Sequence, residues 1–140
     1  MDEVLGYLDR NFDETLAGIM ELCRIQSVST APEHKDDVER CAFRLQHELM
    51  KVGASRSGLN RTAGAPIVLG EWRAAREDAP TILVYGHYDV QPPGELSEWA
   101  SPPFEPTVRD GYLYGRGTVD DKGQVFMHIA AIRAFLATRG

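Results

Sequence analysis

Thr81-Ile82-Leu83-Val84-Tyr85-Gly86-His87 is the stretch on which the reading of the fold turns. Its apolar run has no polar alternation, the pattern of a strand covered on both faces in a parallel or mixed sheet, and it predicts the central strand of the domain. Working upstream, Leu5, Leu8, Phe12, Leu16, Ile19, Met20 and Cys23 recur at spacings of three and four, one stripe of a single helix over residues 4–25. Ser27-Val28-Ser29-Thr30-Ala31-Pro32 breaks that helix. Ser29 or Thr30 is placed to cap a second one, with Pro32 in its first turn and Glu33, Asp36 and Asp37 favouring the helix dipole. Its stripe is Val38, Cys41, Ala42, Leu45, Leu49 and Val52, and Gly53 follows where a helix commonly ends at positive φ.

Between this helix and the apolar run, residues 54–59 read as a short strand, 61–65 as a loop, 66–72 as a better strand and 73–80 as a charged turn. Downstream, a proline-rich loop over 91–106 leads to Thr107-Val108-Arg109 and Tyr112-Leu113-Tyr114, which flank Asp110-Gly111, a strong two-residue hairpin signal. Residues 121–137 are apolar on nearly every side and predict a buried helix. The fold class is therefore α/β, with two N-terminal helices, a mixed and mostly parallel sheet with a hairpin, and a buried C-terminal helix.

Composition agrees with a globular chain: of 140 residues 43% are apolar and 26% charged. The longest apolar runs are far short of the roughly 20 residues a membrane span needs. The start of the chain is acidic and lacks a signal-peptide pattern, so a cytoplasmic location is the default expectation. A net charge of −6 repels phosphate backbones and anionic lipid, which argues against nucleic acid and membrane partners. Cys23 and Cys41 fall in predicted helices among apolar neighbours and read as buried free thiols.

Reactive side chains concentrate in two places. Gly86-His87-Tyr88-Asp89 follows the apolar strand at its carboxyl end, where open α/β sheets bind ligands. His87 and Asp89 are two apart and share one face of an extended backbone, so the carboxylate can fix the imidazole tautomer, as beside many metal-bound histidines. A turn in which His87 bonds a loop carbonyl and Asp89 caps a turn would use the same residues. The second place is Gly115-Arg116-Gly117-Thr118-Val119-Asp120-Asp121-Lys122-Gly123. Adjacent carboxylates at a helix start suit a divalent cation. They suit equally a plain helix start, in which Asp120 caps while Asp121 and Lys122 are solvated. A dinucleotide-binding reading of Gly115-x-Gly117 fails, because Asp120 holds the third glycine position and would oppose a pyrophosphate.

These two stretches, with Gln91-Pro92, Trp99 and Pro103-Phe104-Glu105-Pro106 between them, resemble the zinc-dependent exopeptidase and deacylase family of carnosinase, cytosolic nonspecific dipeptidase, carboxypeptidase G and acetylornithine deacetylase. The Asp89-Val90-Gln91-Pro92 form resembles its dipeptidase branch. The resemblance implies that His87 ligates one zinc, that Asp120 bridges two, and that Asp89 orients His87 and counts with the catalytic residues. It also implies a cis peptide after Asp120 and metal-dependent hydrolysis of small peptides by a homodimeric enzyme, with cobalt or manganese able to replace zinc. In that family the general base, the remaining ligands and a lid domain lie beyond the last helix, so residues 1–140 are expected to be the N-terminal portion of the catalytic domain, inactive alone and prone to associate through exposed apolar surface. His34 and His47 are expected in exposed positions and His128 in the core. A non-catalytic module that keeps the fold without the metals is the alternative.

Overall fold

A computed structural model describes residues 1–74 and 76–139; Ala75, inside the charged turn, and Gly140 lie outside the described residues. Two helices, α1 (Asp2–Arg10) and α2 (Phe12–Arg24), replace the single helix expected over residues 4–25. Asn11 is the cause: its Nδ2 donates to the Tyr7 carbonyl at 2.7 Å, and its backbone leaves the helical region at φ −109°, ψ 17°. Both helices pack on the last one, α4 (Lys122–Arg139). The break rotates the stripe, so Val4 and Leu22 are buried while Leu5 and Phe12 are more than half exposed.

A 3₁₀ turn over Pro32–His34 leads into α3 (Lys35–Lys51). Neither Ser29 nor Thr30 caps it, since no side chain bonds the free amides of either element, and the Ser29 hydroxyl is engaged by Asp89 instead. β1 (Arg56–Asn60) and β2 (Ile67–Glu71) form one antiparallel pair, and β3 (Thr107–Arg109) and β4 (Tyr112–Tyr114) form another. The second pair turns at Asp110 and Gly111, with φ of 51° and 81°, as the dipeptide predicts.

The expected mostly parallel sheet with a central strand at residues 81–87 is not present among the described residues. Both sheets are two-stranded and antiparallel, and the one parallel pairing is an isolated bridge between Val28 and Val90. Residues 81–87 run without strand partners, and Ile82, Leu83 and Tyr85 are more than four-fifths exposed. An apolar run specifies that a segment can be covered; a strand also needs neighbouring backbone to take its N–H and C=O groups. The expectation for α4 is likewise corrected in part. One side buries Phe126, Ile129, Ala130 and Ala134, while Met127, Phe135 and Leu136 are exposed. His128, expected in the core, lies on the exposed side. No helix among the described residues is long and apolar enough to cross a membrane.

The core joins Leu22 and Ile25 from the end of α2, Cys41 and Leu45 from α3, Val52, and Phe126 and Ile129 from α4. α2 meets α4 closely at Gly18, where a Cβ would lie 2.2 Å from the Phe126 ring. Cys23 and Cys41 are free and fully buried, as expected. Burial pushes the Cys23 thiol from 9.0 up to about 11, against a smaller opposing pull from Lys122. The folded state thus keeps a proton that the unfolded chain releases near pH 9. This contribution is fully present below about pH 9 and is lost as pH rises through about 11, amounting to roughly 2–3 kcal/mol. Urea unfolding of the parent and of Cys23→Ala across that range checks it: the alkaline fall in stability should be shallower in the variant, and equal slopes would contradict the burial.

Candidate metal centre

His87 and Asp120 are separated by 33 residues in sequence and meet in space: His87 Nε2 lies 2.9 Å from Asp120 Oδ1. Each half of this contact is built by a separate piece of chain. On the histidine side, residues 88–90 are held by the segment that follows α2. Val90 N donates to the Ser27 carbonyl at 2.9 Å, and the Ser27 hydroxyl donates to the Tyr88 carbonyl at 2.7 Å. The Cys41 thiol reaches the same carbonyl at 3.4 Å. With its backbone fixed, His87 turns its other ring nitrogen, Nδ1, toward Asp89, 3.1 Å from Oδ1 and 3.2 Å from the main-chain oxygen. Asp89 in turn accepts through Oδ2 from the Ser29 hydroxyl.

The aspartate side is held by α4. The Asp120–Asp121 peptide is cis. Thr118 closes the glycine-rich turn by donating from its hydroxyl to the Gly115 carbonyl at 2.9 Å. Lys122 is fully buried, and its Nζ donates to the carbonyls of Leu22 at 3.1 Å and Ile25 at 2.6 Å. The reading in which Asp121 and Lys122 are solvated therefore does not describe them. Asp121 Oδ2 accepts from the His87 amide at 3.0 Å and so ties the two halves together directly. Gly86 makes room for this bond, because a Cβ there would lie 2.7 Å from Asp121 Oδ2 and 2.5 Å from Val125.

Asp120 is open, its side chain 82% exposed, whereas His87 and Asp89 are about half as exposed. Partial burial lowers the proton affinity of His87, but the Asp89 carbonyl and the Asp120 and Asp89 carboxylates more than offset it, and the imidazole titrates above its ordinary value. Burial depresses the Lys122 ammonium, with the thiols of Cys41 and Cys23 opposing. The remaining histidines stand apart from this pair. His34 bonds Asp37 at 2.8 Å, and His47 and His128 are exposed on helices. Among the described residues no group of three or more His, Cys, Asp or Glu side chains is arranged to hold a metal ion.

Sequence reasoning placed His87, Asp89 and Asp120 in one site, and the structure brings all three together. It missed Ser29, Asp121 and Lys122 as supports. Lys122 and Asp121 lay inside the quoted glycine-rich stretch, where a lysine directly after an acidic pair is the one local mark and says nothing of the distant partners; nothing local marks Ser29. The site also does not sit at the end of a sheet strand. It lies where the extended segment 86–90, the Val28–Val90 bridge and the start of α4 converge.

Residues 83–140 match Peptidase family M20/M25/M40. The fold superposes on human carnosine dipeptidase 1 with a TM-score of 0.87 at 31% identity, covering 97% of this chain and 31% of that one. The chain is thus similar in sequence and in fold to the M20 peptidase family. It is 36% identical over 126 residues to a cysteinylglycine-S-conjugate dipeptidase of Corynebacterium striatum, covering 90% of this chain and 28% of that protein. It is 41% identical over 97 residues to a succinyl-diaminopimelate desuccinylase of Dechloromonas aromatica (strain RCB), covering 69% of this chain and 25% of that protein. The chain thus spans about a quarter to a third of the length of these relatives.

Gly86→Ala tests the join between the two halves of the site. Overpacking against Val125 and Asp121 should cost about 1–3 kcal/mol in urea unfolding. It should also speed hydrogen exchange at the His87 amide, whose acceptor is displaced. A variant with parental stability and parental protection at His87 would mean that the close approach is absent in solution.

Proposed function

We propose that this chain supplies the first metal ligands of an enzyme that hydrolyses peptide bonds in small peptides, with dipeptides bearing a free carboxyl terminus as substrates. The observation that carries the reading is the approach of His87 Nε2 to Asp120 Oδ1, with Asp89 on the opposite ring nitrogen. An imidazole nitrogen and a carboxylate oxygen are the donor types zinc takes, and two donors on one ion stand about 3–4 Å apart. A small side-chain adjustment from 2.9 Å reaches that separation. Only one oxygen of Asp120 has a partner among the described residues, which leaves the other for a bridging role. The donor pair therefore fits part of a zinc site, with cobalt or manganese as substitutes.

Zinc held there supplies Lewis acidity toward the scissile carbonyl and toward a hydrolytic water. His87 presents the Nε2 lone pair when Nδ1–H donates to Asp89, so Asp89 sets the tautomer and raises the basicity of the ring. Asp120 contributes negative charge at an open position. Neither the general base nor further ligands are assigned to residues of this chain. The full enzyme in this reading is cytoplasmic and homodimeric.

A second reading, removal of an acyl group from an amino acid nitrogen, has the 41% identity to the desuccinylase in its favour. Both are hydrolyses of an amide attached to an amino acid, and a panel of dipeptides beside N-succinyl amino acids separates them in the protein that contains this chain. The metal step is tested first. Equilibrium dialysis against zinc should show at least tenfold weaker binding for His87→Ala and for Asp120→Ala, with helical circular dichroism unchanged. Zinc binding insensitive to both substitutions would overturn the assignment and favour a module that keeps the fold without metal.

A further inference from the structure

Two carboxylates face the two nitrogens of one imidazole. When His87 is neutral it carries a single ring proton, and Asp89 and Asp120 compete for it. If the proton sits on Nδ1, Nε2 offers its lone pair outward; if it sits on Nε2, the lone pair points back at Asp89 and no ligand is presented. Asp89 biases the choice twice: its main-chain carbonyl, 3.2 Å from Nδ1, can only accept, and its carboxylate adds to this bias as long as Oδ1 is kept beside the ring. Its side chain is partly exposed, and a free carboxylate rotates. The structure supplies a restraint on that rotation. The Ser29 hydroxyl donates to Oδ2 of Asp89, and this leaves Oδ1 on the His87 side.

Ser29 is itself fixed by its neighbours. Val28 is buried and bridges Val90, the Ser27 hydroxyl holds the Tyr88 carbonyl at 2.7 Å, and the Ser27 carbonyl accepts from Val90 N at 2.9 Å. The backbones that carry Ser29 and Asp89 are thus paired on the residues between them, and their side chains are set in register. We propose that Ser29 is a positioning residue: it locks the Asp89 carboxylate, and through it the Nδ1–H tautomer of His87, so that Nε2 is presented toward Asp120. The linkage runs from residue 29 through 89 to 87 by two successive hydrogen bonds and ends at Nε2, whose lone pair in this tautomer stands beside Asp120 Oδ1 as a second acceptor for an ion to share. Its use for metal binding rests on the function proposed above, whereas the tautomer effect stands on the hydrogen bonds alone.

The test uses Ser29→Ala and Ser29→Thr, the second keeping the hydroxyl. Nitrogen-15 correlation spectra of the His87 ring in chelator-treated protein, at an alkaline pH where the ring is neutral, read the tautomer directly. The parent and Ser29→Thr should show mainly Nδ1–H, and Ser29→Ala should lower the Nδ1–H to Nε2–H ratio at least twofold. Zinc dialysis should show about 3- to 10-fold weaker binding for Ser29→Ala, less than the 10- to 100-fold typical of losing a group that bonds the ligand itself, as in Asp89→Ala. A merely structural serine would change stability without moving the tautomer. An unchanged ratio in Ser29→Ala would overturn the proposal whatever the zinc result. A parent chain that binds no zinc while the ratio shifts would sink the functional reading and leave the positioning role standing.

Discussion

The site depends on one buried ammonium group. Lys122 has no exposed surface, and its Nζ is bonded to two carbonyl oxygens, those of Leu22 and Ile25. These belong to the last turn and cap of α2, where the helix dipole is negative, and each also accepts a backbone amide, Leu22 from Ile25 N at 3.2 Å and Ile25 from Ser27 N at 2.9 Å. The lysine takes the second lone pair of each carbonyl, and these acceptors, with the negative end of the dipole, offset the desolvation of the charge. No carboxylate is bonded to it, so the arrangement is a helix-end clamp rather than an ion pair. Because Lys122 opens α4 and α2 leads into Ser27-Val28-Ser29, the clamp sets the distance between the two halves of the candidate centre. Asp120 and Asp121 arrive from one side of it, and the segment that braces residues 88–90 arrives from the other.

A second tie runs through the proline-rich loop. Arg116 donates to the Pro92 carbonyl at 3.1 Å and lies 5.4 Å from the centre of the Trp99 ring, while Trp99 Nε1 donates to the Pro93 carbonyl at 3.0 Å. The proline-rich loop is therefore folded onto the glycine-rich turn, and Arg116 N also bonds the Pro103 carbonyl at 2.7 Å. Missing N–H donors keep this segment out of a ladder, and its carbonyls are taken up by side-chain donors instead. The loop that looks like a simple connector in sequence thus holds residues 90–93 and 115–117 together, with Gly117 against the Lys122 side chain.

Elements specified by neighbouring residues were readable from sequence. Asp110-Gly111 makes its hairpin because the two positive φ values are a property of those residues, and Val38, Cys41 and Leu45 line α3 because their spacing matches one helix face. The break at Asn11 was missed because the stripe continues across it; only the amide side chain, a local competitor for backbone carbonyls, marks the place. Residues 82–85 gave the largest error. Their side chains state a preference for burial, but pairing is decided by whether another strand lies alongside, a non-local fact. The centre divides along the same line. His87, Asp89 and Asp120 were legible as chemistry beside glycines, whereas Ser29 and Asp121 act across separations of 60 and 34 residues that no local pattern encodes.

The two proposed donors are held very unequally, and this asymmetry decides how such a centre adapts to an ion. His87 is restrained at its amide by Asp121, at Nδ1 by Asp89, and along its backbone by the bridge to the Ser27 segment. Among the described residues the Asp120 side chain has one polar partner, Nε2, and it is 82% exposed. Separating the pair from hydrogen-bond contact to the spacing of two donors on one ion requires about an ångström at most. Moving His87 would break several bonds, while rotating the Asp120 carboxylate breaks one that bulk water can replace. The histidine is thus the pre-organised half of the pair and the aspartate the adjustable half. An open carboxylate beside a fixed imidazole lets the same residues accept ions of somewhat different size, consistent with a donor set that suits zinc without excluding its divalent neighbours.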